Sequence, residues 1–368
     1  MVDCNIIFTG GGSGGHVMTA LSIIKSLDTL VLDHKIKFKV EYIGGVSGIE
    51  KEIVERNKIP YYGIQNGKLR RYLSFYNLID LFKIFVGIWE SFFILGKFDR
   101  KKTIVFATGG FVAVPVVIAS WLRCIPSFIH EQTTRVGLAN KICSFFAGKV
   151  FVSFEESIKF FPKNKTILSG YPLRDECFLK KINSVTLDDF IIAPVPGQKI
   201  LFATGGGNGS LLVNNLIKKN LDWLSKEFVI IHQVGEKFID EYKRYQSPTY
   251  KVIKFLDHGM IDLLKMSDVV ISRAGAGTVC ELMTLGKKSI FIPLKIAQKN
   301  EQYHNAMAAH QKLGSIVIEE DNLEKVDIKK LIQEVLAGKK ELEVNQNIRA
   351  QKIIGDELVQ LVKENQGP

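Results

Sequence analysis

Cysteine is scarce in this 368-residue chain: Cys4, Cys124, Cys143, Cys177 and Cys280 are odd in number, scattered, and form no Cys-x-x-Cys pair. That speaks against a disulfide scaffold or a thiolate metal knuckle and for reduced thiols in a cytoplasmic protein. No Asp-x-Asp pair accompanies the glycine-rich loops described below, so neither a metal nor a cofactor is expected. Met1-Val2-Asp3-Cys4-Asn5 leads straight into an apolar segment, without the basic region and apolar core of a secretory signal. The longest apolar run, Leu73 to Phe98, is broken by Asp80, Lys83 and Glu90, which argues against a membrane span. Acidic residues are outnumbered, 38 against 49 basic, for a net charge of +11. This balance favours an anionic partner: nucleic acid, anionic lipid or a phosphorylated substrate. With no basic recognition helix or RNA-stacking motif, nucleic acid is not expected.

What the chain does have is one pattern written twice. Ile6-Ile7-Phe8-Thr9-Gly10-Gly11-Gly12-Ser13-Gly14-Gly15-His16 and Ile200-Leu201-Phe202-Ala203-Thr204-Gly205-Gly206-Gly207-Asn208-Gly209-Ser210 each run from a β-branched and aromatic stretch into a glycine cluster, then into an apolar-periodic segment. The order reads strand, tight turn, helix. Glycines allow positive φ in the turn and leave backbone N–H groups bare at a helix start, where a diphosphate fits. One such turn is also common as pure structure; two predict an α/β protein of two Rossmann-like domains.

Alternating short strands and helices from Val17 to Ile64 predict a parallel sheet covered on both faces. The Leu73–Phe98 run is amphipathic: Asn77, Asp80, Lys83, Gly87, Glu90 and Ser91 fall on one side, and Phe82, Phe85, Trp89, Phe92 and Phe93 on the other. Either the aromatic face covers the sheet, or it lies at a lipid surface with Lys68, Arg70, Arg71, Arg100, Lys101 and Lys102 drawn to anionic head groups. Thr108-Gly109-Gly110-Phe111 is a third glycine turn. His130-Glu131-Gln132-Thr133 ends a strand at an edge where ligands bind in open α/β sheets, although a His-Glu pair there serves equally as a hydrogen-bonded structural element. Ile167 to Arg174 reads as a strand and a Gly/Pro hinge, giving expected domains 1–172 and 173–345 and a terminal helix 346–368. In Arg273-Ala274-Gly275-Ala276-Gly277-Thr278-Val279-Cys280-Glu281 a strand meets a helix that Thr278 caps or begins, with Glu281 expected in its first turn. Free N–H groups at Gly277 and Thr278 can hold a phosphate, and Glu281 either chelates two ribose hydroxyls or only favours the helix dipole.

These motifs, with Gly170-Tyr171-Pro172-Leu173-Arg174 and Gln302-Tyr303-His304-Asn305-Ala306, occur in an order that resembles the MurG family nearly end to end. Its members are the bacterial peptidoglycan glycosyltransferases that move N-acetylglucosamine from its UDP donor to the muramoyl sugar of lipid I, giving lipid II. The resemblance implies a GT-B architecture, two Rossmann-like domains with parallel sheets facing across a cleft, and a final helix packed back on the first domain. It places Glu281 on the ribose, Gly277 and Thr278 near the diphosphate, Ala276 among the substrate-binding residues, Leu256 by the uracil, Gln302 on sugar hydroxyls, Gly207 on the donor through its backbone, and Arg174 as a cation toward the donor. The loops Ser13 to His16, with Gly14 and Gly15, and Thr108 to Phe111 are expected to face the acceptor diphosphate and the reacting centre, and Thr133 to bind substrate. His16 is the candidate base for the acceptor hydroxyl, or a residue that holds the loop by hydrogen bonds. Thr133, Gly207, Glu301 and Thr19 stand where the family commonly has Asn, Ser, Gln and Pro. Implied partners are UDP-N-acetylglucosamine, the undecaprenyl-diphosphate-linked muramoyl peptide, anionic inner-leaflet lipid and other cell-wall synthesis proteins. The implied location is peripheral, on the cytoplasmic face of the inner membrane. Rival readings are a related GT-B transferase with another acceptor, and a nucleotide-binding protein without transfer.

Overall fold

The computed structural model describes residues 2–34, 36–67, 75–187, 190–193, 195–256, 259–338 and 349–366. The chain divides into two compact units, Met1–Leu173 with Asn347–Pro368, and Arg174–Gln346.

In the first unit the elements run β1 (Val2–Thr9), α1 (Gly14–His34), β2 (Ile36–Gly45), α2 (Ile49–Arg56), β3 (Tyr61–Ile64), α3 (Phe75–Leu95), β4 (Thr103–Ala107), α4 (Ala113–Leu122), β5 (Ser127–Glu131), α5 (Leu138–Phe146), β6 (Lys149–Val152) and β7 (Thr166–Leu168). The strands form a parallel sheet of order β3-β2-β1-β4-β5-β6-β7. A strand buried on both faces needs apolar residues throughout, and β4 (Thr-Ile-Val-Phe-Ala) is buried at every position. On β1, Ile6 and Phe8 point into a core with Val17 and Leu21 of α1, while Ile7 points the opposite way, toward Leu95 of α3 and Val116 of α4. The rings of Phe8, Phe106, Phe128 and Phe151 pack in contact across the first face.

The second unit holds a small antiparallel pair, β8 (Val185–Leu187) and β9 (Phe190–Ile192), followed by β10 (Ile200–Thr204), α6 (Leu211–Lys219), α7 (Leu221–Glu227), β11 (Val229–Gln233), α8 (Ile239–Lys243), β12 (Tyr250–Ile253), α9 (Met260–Met266), β13 (Val269–Ser272), α10 (Ala276–Thr284), β14 (Ile290–Phe291), α11 (Glu301–Leu313), β15 (Ile316–Val317) and α12 (Ile328–Ala337). Its parallel sheet runs β12-β11-β10-β13-β14-β15. Leu201, Ile230, Ile271 and Ile290 pack on one face with Val213 and Ile217 of α6 and Ile332 and Val335 of α12. The last helix, α13 (Ala350–Gln366), belongs to the first unit. Its Ile354 and Leu358 enter the core beside α1, Glu357 pairs with Lys149, and Gln351 donates to the Leu173 carbonyl.

Both sheets start in the middle and reverse direction once, between β1 and β4 and between β10 and β13. In such sheets ligands bind at the carboxyl ends of the strands flanking the reversal. Four loops lie there: Gly10–Ser13, Thr108–Val112, Gly205–Gly209 and Arg273–Gly275. They are the loops that carry the glycine motifs.

Candidate functional site

The turn after β1 is built around a carboxylate. Glu50, buried in the first turn of α2, accepts from the Gly12 N–H at 3.2 Å and the Gly45 N–H at 3.0 Å. A Cβ on Gly11 would fall 2.4 Å from that carboxyl carbon, so the glycine makes room for the brace. Glu50 was not foreseen; the only signal was an acidic residue just after Gly44-Gly45. Its carboxylate takes up the Gly12 N–H, while Ser13, Gly14 and Gly15 form the accessible start of α1.

His16, half-buried in the first turn of α1, lies against the loop after β4. Its Nδ1 is 2.9 Å from Gln132 Oε1, and a Cβ on Gly109 would sit 2.9 Å from its Cε1. The two loops are tied by Thr108 N–H to the Thr9 carbonyl (2.8 Å) and Gly11 N–H to the Gly109 carbonyl (3.1 Å). Of the two histidines here, His130 is the inner one. It is fully buried and faces the Gly170 carbonyl through Nε2 (3.1 Å), and burial lowers its pKa to about 4. Glu131 braces the loop that follows: Oε1 accepts from the Thr133 N–H and faces its hydroxyl, while Oε2 accepts from Asn140 (3.0 Å) and the Gly137 N–H (3.3 Å). Glu131 is thus fully engaged in hydrogen bonds, whereas the buried Nδ1 of His130 has no hydrogen-bond partner among the described residues. The Thr133 hydroxyl lies between Glu131 and the Arg135 carbonyl, 2.9 and 2.7 Å away.

In the second unit α10 starts at Ala276, with Gly275 as its N-cap. Glu281 therefore lies in the second turn, not the first as expected, and the dipole, which fades within one turn, does little for it. The first intrahelical bond is Val279 N–H to the Gly275 carbonyl (3.0 Å), so the N–H groups of Ala276, Gly277 and Thr278 point out of the helix end. Glu281 Oε1 is 3.5 Å from Arg174 Nε. Burial raises the Glu281 carboxyl above the usual range, and the Arg174 guanidinium pulls it part of the way back.

Gln302, near the start of α11, turns its Oε1 to two backbone donors, Ala274 N–H (3.2 Å) and Leu294 N–H (3.0 Å). Its amide nitrogen is thereby aimed as a donor, the polarity that a sugar oxygen accepts. Leu256, buried, donates its N–H to Gln233 Oε1 (2.9 Å), whose amide nitrogen reaches Thr204 Oγ1 and the Gly206 carbonyl, both at 3.1 Å. That side chain links the Leu256 backbone to the second glycine turn, where Gly207 is exposed. Arg273, also unforeseen, joins the remaining parts. It pairs with Glu320 at 2.6 Å and donates to Ser210 Oγ (3.1 Å) and the Ile292 carbonyl (3.0 Å). Ser210 in turn caps α6.

The helix α3 shows its aromatic face outward. Phe82, Phe85 and Trp89 are 69%, 62% and 65% exposed, and Phe93 is exposed with them. Phe92 departs from the expected set: it is half-buried in the core cluster, with the Arg123 guanidinium 4.0 Å over its ring. Lys68, Arg70 and Arg71 lie outside the described residues. No helix among the described residues is long and apolar enough to cross a membrane.

Two Rossmann-like parallel sheets, each with glycine turns at its reversal, are the two halves of a GT-B fold. Residues 6–152 match the glycosyltransferase family 28 N-terminal domain and residues 200–360 the family 28 C-terminal domain. The chain belongs to glycosyltransferase family 28. It is 35% identical to the UDP-N-acetylglucosamine–N-acetylmuramyl-(pentapeptide) pyrophosphoryl-undecaprenol N-acetylglucosamine transferase of Lachnospira eligens, over 98% of this chain and 99% of that one. The transferase of the same name from Clostridium perfringens SM101 is 39% identical over 88% of this chain and 87% of its own length. The crystal structure of MurG from Acinetobacter baumannii superposes with a TM-score of 0.67, covering 98% and 99% of the two chains at 22% identity.

Proposed function

We propose that this protein transfers N-acetylglucosamine from UDP-N-acetylglucosamine to the muramoyl sugar of undecaprenyl-diphospho-muramoylpentapeptide, the step that converts lipid I to lipid II in peptidoglycan synthesis. The observation that carries the reading is the second unit's arrangement of three outward N–H groups at Ala276–Thr278 with Glu281 one turn further along α10. Such a set suits a nucleoside diphosphate: the N–H groups take the phosphate oxygens and the carboxylate takes the ribose diol. Relatives named for the same reaction over nearly the whole chain support it.

The mechanism follows from charge. The acceptor hydroxyl attacks the anomeric carbon as the bond to UDP breaks, and His16 takes the hydroxyl proton. Negative charge then gathers on the departing diphosphate, where preorganised N–H groups need no reorganisation to meet it. Gln302 donates to a sugar oxygen, Leu256 and the backbone of Gly207 border the nucleotide, and Arg174 supplies a cation. Ser13, Gly14, Gly15 and Thr133 serve the acceptor. A single displacement on an α-linked donor gives a β-linked product.

The exposed rings of α3, with Arg100, Lys101 and Lys102 exposed just beyond it, suit a peripheral protein on anionic lipid. On this reading it works at the cytoplasmic face of the inner membrane, among other cell-wall synthesis proteins, and feeds cell growth, shape and division. The test is transfer of radiolabelled N-acetylglucosamine to a short-chain lipid I analogue in EDTA, with UDP-glucose as control. Transfer confined to the N-acetyl sugar is expected; tight UDP binding without transfer would defeat the reading.

A further inference from the structure

We infer that Gln132 is a positioning residue that sets the tautomer of His16, holding the ring proton on Nδ1 so that Nε2 is left as the base. The catalytic half of this inference rests on the proposed role of His16.

The argument needs only the polarity of three groups. Gln132 is 3% exposed, at the end of β5. One end of its amide is 2.5 Å from the Thr108 carbonyl oxygen. A carbonyl oxygen only accepts, so the amide nitrogen must face it; the flipped amide would set two oxygens 2.5 Å apart. The other end, Oε1, then faces His16 Nδ1 at 2.9 Å. That oxygen also only accepts, so Nδ1 carries a hydrogen. A neutral imidazole has one N–H, and the lone pair is therefore on Nε2, which takes no hydrogen bond from the described residues.

The relay is anchored at its far end, because Thr108 is itself held by its N–H to the Thr9 carbonyl (2.8 Å). Gly109 lets the ring lie flush on the loop, since any Cβ there would meet Cε1. When Nε2 takes the acceptor's proton, the Nδ1–H bond to Gln132 remains and strengthens, as the imidazolium is the better donor. The titratable groups nearby do not replace Gln132. His130 is kept neutral by burial, Glu131 is turned to Thr133 and Asn140, and Glu50 faces the backbone of Gly12 and Gly45. An amide in this place differs from the carboxylate that orients histidine in a Ser-His-Asp triad: it fixes the proton without adding a charge.

The first test needs no turnover. Long-range 1H–15N NMR of the ring nitrogens, with the His16 signals assigned by difference from His16→Ala, should show Nδ1 protonated and Nε2 bare above the ring pKa. An Nε2–H tautomer in the unmodified protein overturns the inference.

Kinetics supply the second test. Gln132→Met keeps the bulk and removes the acceptor, so kcat should fall by about 10-fold or more, a part of what general-base catalysis supplies, with the donor KM little changed. With that acceptor gone, the His16 ring in Gln132→Met should no longer hold its proton on Nδ1 alone, and the same NMR should read a mixture of the two tautomers. Wild-type kcat or an unmixed Nδ1–H tautomer in Gln132→Met refutes the role. Full turnover in His16→Ala would overturn the base assignment, and the NMR result would separate that failure from a wrong tautomer.

Discussion

A carboxyl walled in on the second turn of a helix can chelate two vicinal hydroxyls only while it is ionised. Glu281 is in that position, its pKa raised by burial and partly restored by Arg174. Glu281→Ala should therefore raise the KM for the UDP-sugar more than it lowers kcat, because the contact exists before the transition state. In the unmodified protein the donor KM should climb as pH falls toward the raised carboxyl pKa, and this climb should vanish in Glu281→Ala. Steady-state kinetics across pH check both, and a donor KM unchanged by the substitution would remove Glu281 from the ribose. Glu50 shows another use of a buried carboxylate: it shapes the first glycine turn by accepting from Gly12 and Gly45.

Among the elements, α3 turns four large rings outward and packs Gly87 and Ser91 inward beside Ile84, Leu95 and the half-buried Phe92. Gly87 and Ser91 are buried, and a Cβ on Gly87 would fall 2.2 Å from the Gln65 carbonyl oxygen. Small side chains let the helix approach that backbone, and Glu90 adds a bond to the Gln65 N–H at 2.6 Å. With the close side used for packing, Phe82, Phe85, Trp89 and Phe93 are exposed among the described residues, Trp89 and Phe93 touching each other and Phe92 of the same helix. Burying one such ring in lipid is worth roughly 1.5–3 kcal/mol. The double substitution Phe85→Ser with Trp89→Ser should therefore weaken cosedimentation with phosphatidylglycerol vesicles by about 10-fold or more, while turnover with a water-soluble acceptor holds. Undiminished vesicle binding would make the face structural only.

Among the described residues each unit carries one deeply buried histidine. His130 has its pKa lowered to about 4, and His232, between Tyr250 Oη (2.8 Å) and Asn214 Oδ1 (3.1 Å), to about 3, both by burial. Over the window from pH 6.5 down toward those values the unfolded chain binds more protons than the folded one. Stability should thus fall as pH drops through it and level off above it. Glu281, raised on folding, works in the opposite sense but is a single group. Urea midpoints measured at pH 7 and 4.5 should show the decline, and His232→Gln should lessen it; equal midpoints at the two pH values would contradict the assignment.

Local pattern was enough for the repeated unit. Continuous apolar runs such as Ile200–Thr204 mark strands covered on both faces, and glycine clusters mark turns that need positive φ, as at Gly12 (75°) and Gly206 (82°). Both signals come from neighbours in the chain, so the alternation, the parallel sheets and the family could be read from the residues alone. The start of α10 was misplaced by about two residues because Gly-Ala-Gly offers several caps of similar quality. The remaining features depend on contacts between distant segments, which no local pattern encodes. His16 meets Gln132 across 116 positions, Glu50 lies under Gly12 from 38 positions away, and Arg273 joins Ser210 across 63. Amphipathicity showed that α3 has two faces, but which of them packs was decided by the Gln65 backbone lying where only the Gly87 side could approach. The residues themselves determined a doubly repeated α/β transferase fold; the tertiary structure decided which polar atoms meet, since a hydrogen bond depends on distance in space and not on separation along the chain.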